Sequence, residues 1–202
     1  MDTLIPLFPL DVVLFPGTPL PLHIFEPRYK EMIAECLADS RRFGVVRALE
    51  KGLADVGCTA EIVTVVKEYP DGQFDLVTEG RQRFELFAVN EERSFLRAEV
   101  ALIEDEPEAP PRAATERAMQ LHAELLAAAG AKQDLSDADP SVLSFYLAGS
   151  LPLDLDFKQS LLALRSEAER LARLIPYLEN IIPRLHRAAQ ARAKAGGNGH
   201  IH

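Results

Sequence analysis

The feature that most constrains the fold of this chain is a proline-rich, apolar segment near its start. Residues Leu4–Tyr29 read LIPLFPLDVVLFPGTPLPLHIFEPRY and contain six prolines. Proline fixes φ and lacks a backbone N–H, so this spacing excludes the interior of a helix or of a central strand. We predict short edge strands joined by stiff turns, with Pro16-Gly17 as the clearest turn. Few of these side chains can act as an acid, a base or a nucleophile, which favours a binding surface over an active site.

The segment ends where a helix is expected to begin. Pro27 suits the first helical position, where a missing N–H costs nothing. The sequence then places five apolar side chains on one helical face, namely Tyr29, Met32, Ile33, Cys36 and Leu37. The pattern predicts a β-ribbon that leads into an amphipathic helix ending near Asp39.

The rest of the first half is β-rich. Dense β-branched residues over 59–69 and a turn at Pro70-Asp71-Gly72 predict a hairpin into a strand over 74–78. Glu79-Gly80 is expected to break the chain before a further strand begins at Phe84. Short strands separated by turns, with a single helix, are typical of a small closed or half-closed barrel.

The second half is helical. An acidic, proline-rich stretch over 104–111 marks the boundary, so we expect a β-rich domain over 1–106 and a helical domain over 107–195. The glycine-rich residues 196–202 are predicted to form a flexible tail. Two prolines, Pro176 and Pro183, are expected to kink or divide the last helix.

The order of these motifs resembles a known family. PLFPL, LFPG, LPLHIFEPRYKEM and FGVV follow one another in the first half, and the likeness continues through 57–62, through 80–84 and, more loosely, through Phe157–Leu178. They are similar to the N-terminal substrate-binding domain of the Lon ATP-dependent proteases and to its stand-alone bacterial relatives. The resemblance implies an α+β fold, with a twisted PUA-like, β-barrel-like domain containing one helix, followed by a C-terminal helical bundle. It also implies substrate binding in the absence of the ATPase and protease modules.

Composition and cysteine usage predict a cytoplasmic protein. The sequence has no apolar run of about 18 residues, and prolines with Asp11 interrupt its start, so neither a membrane span nor a signal peptide is expected. Cys36 and Cys58 stand in separate predicted elements without a CxxC spacing. We therefore expect two buried free thiols and no disulfide.

The charge is distributed unevenly between the two halves. Residues 1–106 carry 11 Lys and Arg against 20 Asp and Glu, a net charge of −9, whereas residues 107–202 carry 11 of each sign. Nucleic-acid-binding surfaces generally present a basic patch that releases counterions from phosphate. General nucleic-acid binding is therefore not expected of the acidic half, although a local basic groove stays open as an alternative.

Known catalytic motifs are absent from the sequence. It contains no GxxxxGK[ST] phosphate loop and no HExxH, GxSxG or paired Cys/His metal pattern. An undetected hydrolase would need an acid–base pair, for which only His23 with Glu26 is available. We predict instead that His23 is structural, with a ring nitrogen bonded to a backbone carbonyl. The chain is thus expected to have no enzymatic activity, no catalytic residue, no cofactor and no metal site.

Nine residues are candidates for polypeptide binding. Phe15 and Phe25 are either core aromatics or, if exposed beside the prolines, an apolar patch for unfolded polypeptide. The proline-bearing ribbon also resembles a sheet edge, to which an extended peptide could add a strand. The full set is Phe15, Pro16, Pro21, His23, Phe25, Glu26, Arg28, Arg81 and Arg83.

The charged candidates each have a structural alternative. Glu26 and Arg28 either contact a bound peptide or serve the helix N-terminus and a nearby strand. Arg81 and Arg83 share one face of a predicted strand, where they either hold an oxyanion or balance acidic neighbours.

Two functions from different classes follow. The first is a non-enzymatic module that binds extended or unfolded polypeptide, or a partner protein, through the β-domain and the cleft between the two halves. The second is a PUA-like protein that binds nucleic acid or a small ligand, because fold alone does not settle function. A basic, exposed groove at Arg41, Arg42, Arg81 and Arg83 would favour the second function, and a neutral apolar groove would contradict it.

Overall fold

The chain forms a mixed α+β structure whose first part is a sheet with one helix, α1 (Pro27–Ala38). The computed structural model describes residues 3–128, 130–131 and 139–196; for residue 3 and residues 185–196 it describes the backbone only. The strands are, in chain order, β1 (Thr3–Leu10), β2 (Pro19–Ile24), β3 (Phe43–Leu49), β4 (Gly52–Leu53), β5 (Val56–Glu68), β6 (Phe74–Asn90) and β7 (Arg97–Leu102).

Strand pairing follows a path that returns to its starting strand. The order is β1-β7-β6-β5-β3, and β3 then pairs with β1 in parallel, whereas the other neighbours are antiparallel. Strand β2 pairs with β6 outside this path, and β4 extends β3. A strand that is paired on both sides has its backbone N–H and C=O groups bonded. Open edges therefore lie where a strand extends beyond one of its neighbours.

Helix α1 packs the predicted face into the core. Tyr29, Met32, Ile33 and Cys36 are buried, and they form one cluster with apolar residues of the strands. Leu37, the fifth member of the predicted face, is exposed at the end of the helix. The helix ends at Ala38, as the sequence predicted.

Strand β6 runs without interruption through the predicted break at Glu79-Gly80. A Cβ atom at Gly80 would lie 2.1 Å from the backbone oxygen of Phe15. Gly17 N donates to Gly80 O at 2.8 Å, and Gly80 N donates to Thr18 O at 3.0 Å. The prediction of a break was wrong, because this glycine permits a close approach of two backbone segments and makes no turn.

The predicted turn at Pro16-Gly17 is present. Thr18 N donates to Phe15 O at 3.2 Å, and Gly17 has a φ of 72°. The side-chain oxygen of Thr18 also donates to Phe15 O at 2.8 Å. A proline followed by a residue with positive φ is the pattern expected of such a tight turn.

Helices form the rest of the described chain. They are α2 (Arg112–Ala128), a single 3₁₀ turn (Pro140–Val142), α3 (Leu143–Ser150), α4 (Leu155–Ala163) and α5 (Glu167–Gly196). Helix α5 is assigned continuously through Pro176 and Pro183, so the expected division is not observed. Its apolar stripe over this part stays buried, which compensates for the backbone bonds that proline removes. None of the helices among the described residues is long and apolar enough to cross a membrane.

The chain divides into two compact units. The first combines Met1–Glu106 with Ala148–Arg165, and the second combines Pro107–Leu147 with the chain from Ser166 onward. Residues 148–165, which we expected in the helical domain, thus group with the β-rich part. Arg83 on β6 binds this segment by donating to the carbonyl oxygens of Leu162 at 2.5 Å and Leu164 at 2.6 Å. The predicted tail lies, from residue 197, outside the described residues.

A buried polar network stabilises the second unit. Arg170 Nε donates to Ser144 Oγ and to Glu167 Oε2, each at 2.9 Å. Ser144 donates to the same carboxylate through its backbone N at 2.8 Å and its hydroxyl at 2.6 Å. Burial raises the pKa of the Glu167 carboxyl, and the hydrogen bonds from Ser144 and Arg170 oppose this rise.

Candidate functional site

A groove of about 770 Å³ opens in the β-rich unit. Its large apolar lining residues are Leu4, Ile5, Pro6, Leu37, Ile62 and Leu102. Three of them, Leu4, Leu37 and Leu102, are exposed to solvent. Exposed aliphatic side chains gathered around one concave surface are typical of a site that binds another molecule.

The strand pairing explains why residues so distant in sequence meet at this groove. Antiparallel pairing of Thr3 with Val100 places the start of β1 beside the end of β7. Parallel pairing of Leu7 with Gly44 places the start of β3 at the same end. The groove therefore lies at one end of the closed strand path, and Leu37 reaches it from the last turn of α1.

The charged residues at the groove are paired with one another or with close neighbours. Arg42 lies 2.8 Å from Glu61, and Arg81 lies 3.1 Å from the same carboxylate. Arg41 lies 2.9 Å from Asp39. Hydrogen bonds from Arg81 and Arg42 hold the pKa of Glu61 below its ordinary value. The groove is thus apolar with an internally neutralised polar rim, and it is not a basic patch.

Several predicted residues lie on a second exposed surface, around the end of β2. Phe25 is 59% exposed and stacks on His23, with ring centroids 5.9 Å apart. Tyr69 approaches the His23 ring edge-on at 6.1 Å. We call these three residues the aromatic surface. Of the other candidates, Pro21 and Arg28 are also exposed, and Glu26 is half-buried.

Asp75 orients the aromatic surface. His23 Nδ1 lies 2.6 Å from Asp75 Oδ1, and the Tyr69 hydroxyl donates to Asp75 Oδ2 at 2.8 Å. These two hydrogen bonds, the one with His23 foremost, lower the pKa of Asp75. The partner of His23 is therefore a side-chain carboxylate, whereas we had predicted a backbone carbonyl.

The acid–base pair considered for a hydrolase does not form. Glu26 bonds with Arg28, whose Nε donates to it at 3.0 Å. Among the hydrogen bonds of the described residues, none joins a serine or threonine hydroxyl, or a cysteine thiol, to His23. In the same part of the chain, no three His, Cys, Asp or Glu side chains come together in a way that could hold a metal ion.

Two of the nine candidates lie in the interior. Phe15 is fully buried, and Arg83 is nearly so, bound to the carbonyl oxygens of 162 and 164 and to Asp105. Neither side chain can contact a ligand in this conformation, because its surface is already covered. Pro16 and Arg81 are half-buried.

Most of the groove is formed by residues that the sequence did not single out for binding; Arg41 and Arg42, named for the nucleic-acid alternative, are the exceptions. None of the nine candidates is among its lining residues. Leu37 was predicted as part of the buried helix face, and Leu4 was noted only within the proline-rich segment. One signal was available, because Leu37 occupies the last turn of α1, where a helix face can extend beyond the core.

Comparison with known proteins identifies the family. The sequence model of the ATP-dependent protease La (LON) substrate-binding domain matches residues 4–180. The chain therefore belongs to the LON substrate-binding domain family. Only this domain of the Lon proteases is matched.

Similar proteins include Lon proteases and isolated Lon N-terminal domains. The chain is 36% identical over 110 residues to the Lon protease of Parabacteroides distasonis, covering 50% of this chain and 13% of that protein. It is 28% identical over 189 residues to Lon protease 1 of Hydrogenovibrio crunogenus, covering 85% of this chain and 23% of that protein. The chain thus spans less than a quarter of the length of these two relatives.

Solved structures show the same fold. The crystal structure of a Lon N-terminal domain protein from Xanthomonas campestris superposes with a TM-score of 0.70 at 28% identity, covering 87% of this chain and 98% of that chain. The N-terminal domain of the Mycobacterium avium complex Lon protease gives a TM-score of 0.64 at 20% identity, with 88% and 98% covered. The second likeness is evidence for the fold alone.

Proposed function

We propose that this chain is a non-enzymatic polypeptide-interaction module that binds exposed apolar segments of other proteins in its groove. The observation that carries the proposal is the cluster of exposed leucines around the groove, in a chain that belongs to a substrate-binding family. Free, buried cysteines agree with a reducing cytoplasm as the place where it acts. The closed strand path would serve as the PUA-like, barrel-like scaffold that holds the groove open.

The chemistry of the groove suits clients that differ in sequence. Leu4, Leu37 and Leu102 offer apolar area without a directional polar group, so binding depends on the burial of apolar surface at about 25 cal/mol per Å². The charged rim is already paired, so it demands no particular charge from the client. Such contacts favour weak and promiscuous binding.

Nucleic-acid binding, the alternative, finds less support. Each arginine of residues 1–106 is within ion-pair distance of a carboxylate; these are Arg28, Arg41, Arg42, Arg47, Arg81, Arg83, Arg93 and Arg97. A phosphate would have to displace these carboxylates and approach a half with a net charge of −9. Single-stranded RNA is therefore the informative negative control.

The proposal is tested by titrating the protein into a fluorescent, permanently unfolded polypeptide and following anisotropy. Leu37→Ser removes an apolar side chain from the groove, and Leu49→Ser is the matched control. The two leucines are 36% and 42% exposed, but Leu49 lies at the end of β3 outside the groove. We expect Leu37→Ser to weaken binding about tenfold and Leu49→Ser to leave it within about twofold.

Three other outcomes would count against the proposal. Equal weakening by both leucine variants would mean that general surface hydrophobicity, and not the groove, holds the polypeptide. Equal affinity for the folded parent protein, from which the unfolded polypeptide is prepared by chemical modification, would remove the requirement for exposed apolar segments. Salt-sensitive binding of RNA, with no binding of unfolded polypeptide, would favour the nucleic-acid alternative.

A further inference from the structure

The outer half of β5 has an open edge. Strand β3 pairs with β5 only from Cys58 to Ala60. Beyond that point, the β5 residues from Glu61 to Glu68 pair with β6 on one side, and no described strand pairs with them on the other. The backbone groups that point away from β6 are therefore available to a further strand.

This edge lacks the protection found on the other side of β6. There, β2 carries Pro19 and Pro21, which have no N–H to offer to another strand. The β5 edge has no proline and no charge over 62–66, and Val63 and Val66 are 51% and 63% exposed. An apolar edge without proline or charge offers its free backbone groups to another strand.

The register of β5 limits how long an added strand can be. Pairing with β6 shifts between Ile62 and Thr64 and again between Val65 and Lys67, which leaves Val63 and Val66 without partners in the register. Bulges of this kind increase the local twist and bend the strand. The edge therefore suits a short, adaptable segment better than a long, flat one.

The open edge begins at the groove. Glu61 and Ile62, where the edge begins, are among the groove-lining residues. Because β3 already pairs with β5 at Cys58–Ala60, a segment paired with β5 over 62–66 would have to leave the edge beside Glu61. At that point it would meet the groove, which Leu37 and Leu102 also line.

We propose that a client polypeptide binds as an added strand along β5 residues 62–66, with its next residues in the groove. This inference rests on the proposed function and specifies the class of client: an extended, proline-free, β-branched segment whose backbone N–H groups are free. Backbone hydrogen bonds supply affinity independent of sequence, and the groove selects apolar side chains.

A second copy of this chain fits the edge less well. Antiparallel pairing of two β5 edges about Thr64 would place Val63 of one copy opposite Val65 of the other, and Val66 opposite Ile62. Val63 and Val66 are the residues that the register shifts leave without partners, so the bulges of one copy would face regular residues of the other. The pairing of Glu61 with Lys67 is the one feature of this arrangement that favours a second copy.

Two peptides of equal charge test the inference on the full chain. The probe is a fluorescent decapeptide of alternating valine and threonine between terminal lysines, and its control carries N-methyl groups on every valine and threonine amide. We expect the N-methylated peptide to bind at least about tenfold more weakly, because it cannot donate to the strand edge. Hydrogen exchange of the amides of 62–66 should slow only with the unmodified peptide.

Protein variants give a second readout. The double variant Val63→Lys with Val66→Lys places cations on the edge and should abolish peptide binding, whereas Leu49→Lys should retain it.

Equal binding of the two peptides, with unchanged exchange at 62–66, would overturn the inference even if unfolded polypeptide still binds. Slow exchange at 62–66 that depends on protein concentration, without peptide, would assign the edge to a second copy and also overturn it. If unfolded polypeptide does not bind at all, the proposed function itself fails.

Discussion

At the scale of single residues, the second unit depends on one buried ion pair. We expect Arg170→Met to lower the free energy of unfolding by about 3–5 kcal/mol, because it leaves the carboxylate of Glu167 buried without its cation. Urea denaturation measures this loss. Arg173→Met on the exposed side of the same helix is the control and should change stability by less than about 0.5 kcal/mol. A similar small change in Arg170→Met would show that the pair is dispensable.

The two cysteines make stability fall at alkaline pH. Burial raises the pKa of Cys36 to about 11 and of Cys58 to about 12, from an ordinary value of 9.0. The unfolded chain therefore loses these protons first, so the stabilisation is complete below pH 9 and is lost as the pH rises toward 11 and 12. We expect urea denaturation to show a fall in the free energy of unfolding between pH 9 and 11. The fall should be shallower in Cys58→Ala, and an equally steep fall there would refute the assignment.

At the scale of elements, the meeting of β6 with the Phe15–Thr18 turn depends on Gly80. We expect Gly80→Ala to cost about 1–3 kcal/mol, because its Cβ atom would lie 2.1 Å from a backbone oxygen that cannot move freely. Gly130→Ala is the comparison, because a Cβ atom there meets nothing within 4 Å. Its loss of stability, about 1–2 kcal/mol, comes from the φ of 69° alone, which a residue with a Cβ atom adopts at a cost. Thermal unfolding at matched pH compares the two. A Gly80→Ala variant as stable as the wild type would mean that the backbone shifts to accommodate the methyl group.

The sequence predicted correctly the elements that depend on residues close to one another in the chain. The buried face of α1 from Tyr29 to Cys36 and the Pro16-Gly17 turn both follow from residues close in sequence, and both are present. The uninterrupted course of β6 could not be predicted from neighbouring residues. The glycine at position 80 is required by the close approach of a backbone segment more than 60 residues away in the sequence. Sequence position shows that a glycine is special, but not whether it permits a turn or a contact.

The groove was missed for a related reason. Its lining combines the start of β1, the end of α1, the middle of β5 and the end of β7. No periodicity in the sequence links Leu4 with Leu102, since their proximity follows from closure of the strand path. The aromatic candidates were easier to notice, but Phe15 is core and only Phe25 is exposed.

At the scale of the whole molecule, the first unit is discontinuous in sequence. We expect a fragment of residues 1–106 to be much less stable than a fragment of residues 1–165, because it lacks the carbonyl acceptors that bind Arg83. It also lacks Gln159, whose amide donates to Val56 O at 2.8 Å. Urea denaturation of the two fragments makes the comparison. Equal stability would mean that residues 148–165 only cover a unit that folds without them.

The central claim is that unfolded polypeptide binds in the groove at the end of the closed strand path. The most direct test is methyl NMR of the full chain, with labelled isoleucine and leucine methyl groups, during titration with a permanently unfolded polypeptide. We predict progressive shifts for Leu37, Ile62 and Leu102, which line the groove, and none for Leu49, which does not. Binding that leaves the groove methyl groups unshifted would contradict the account.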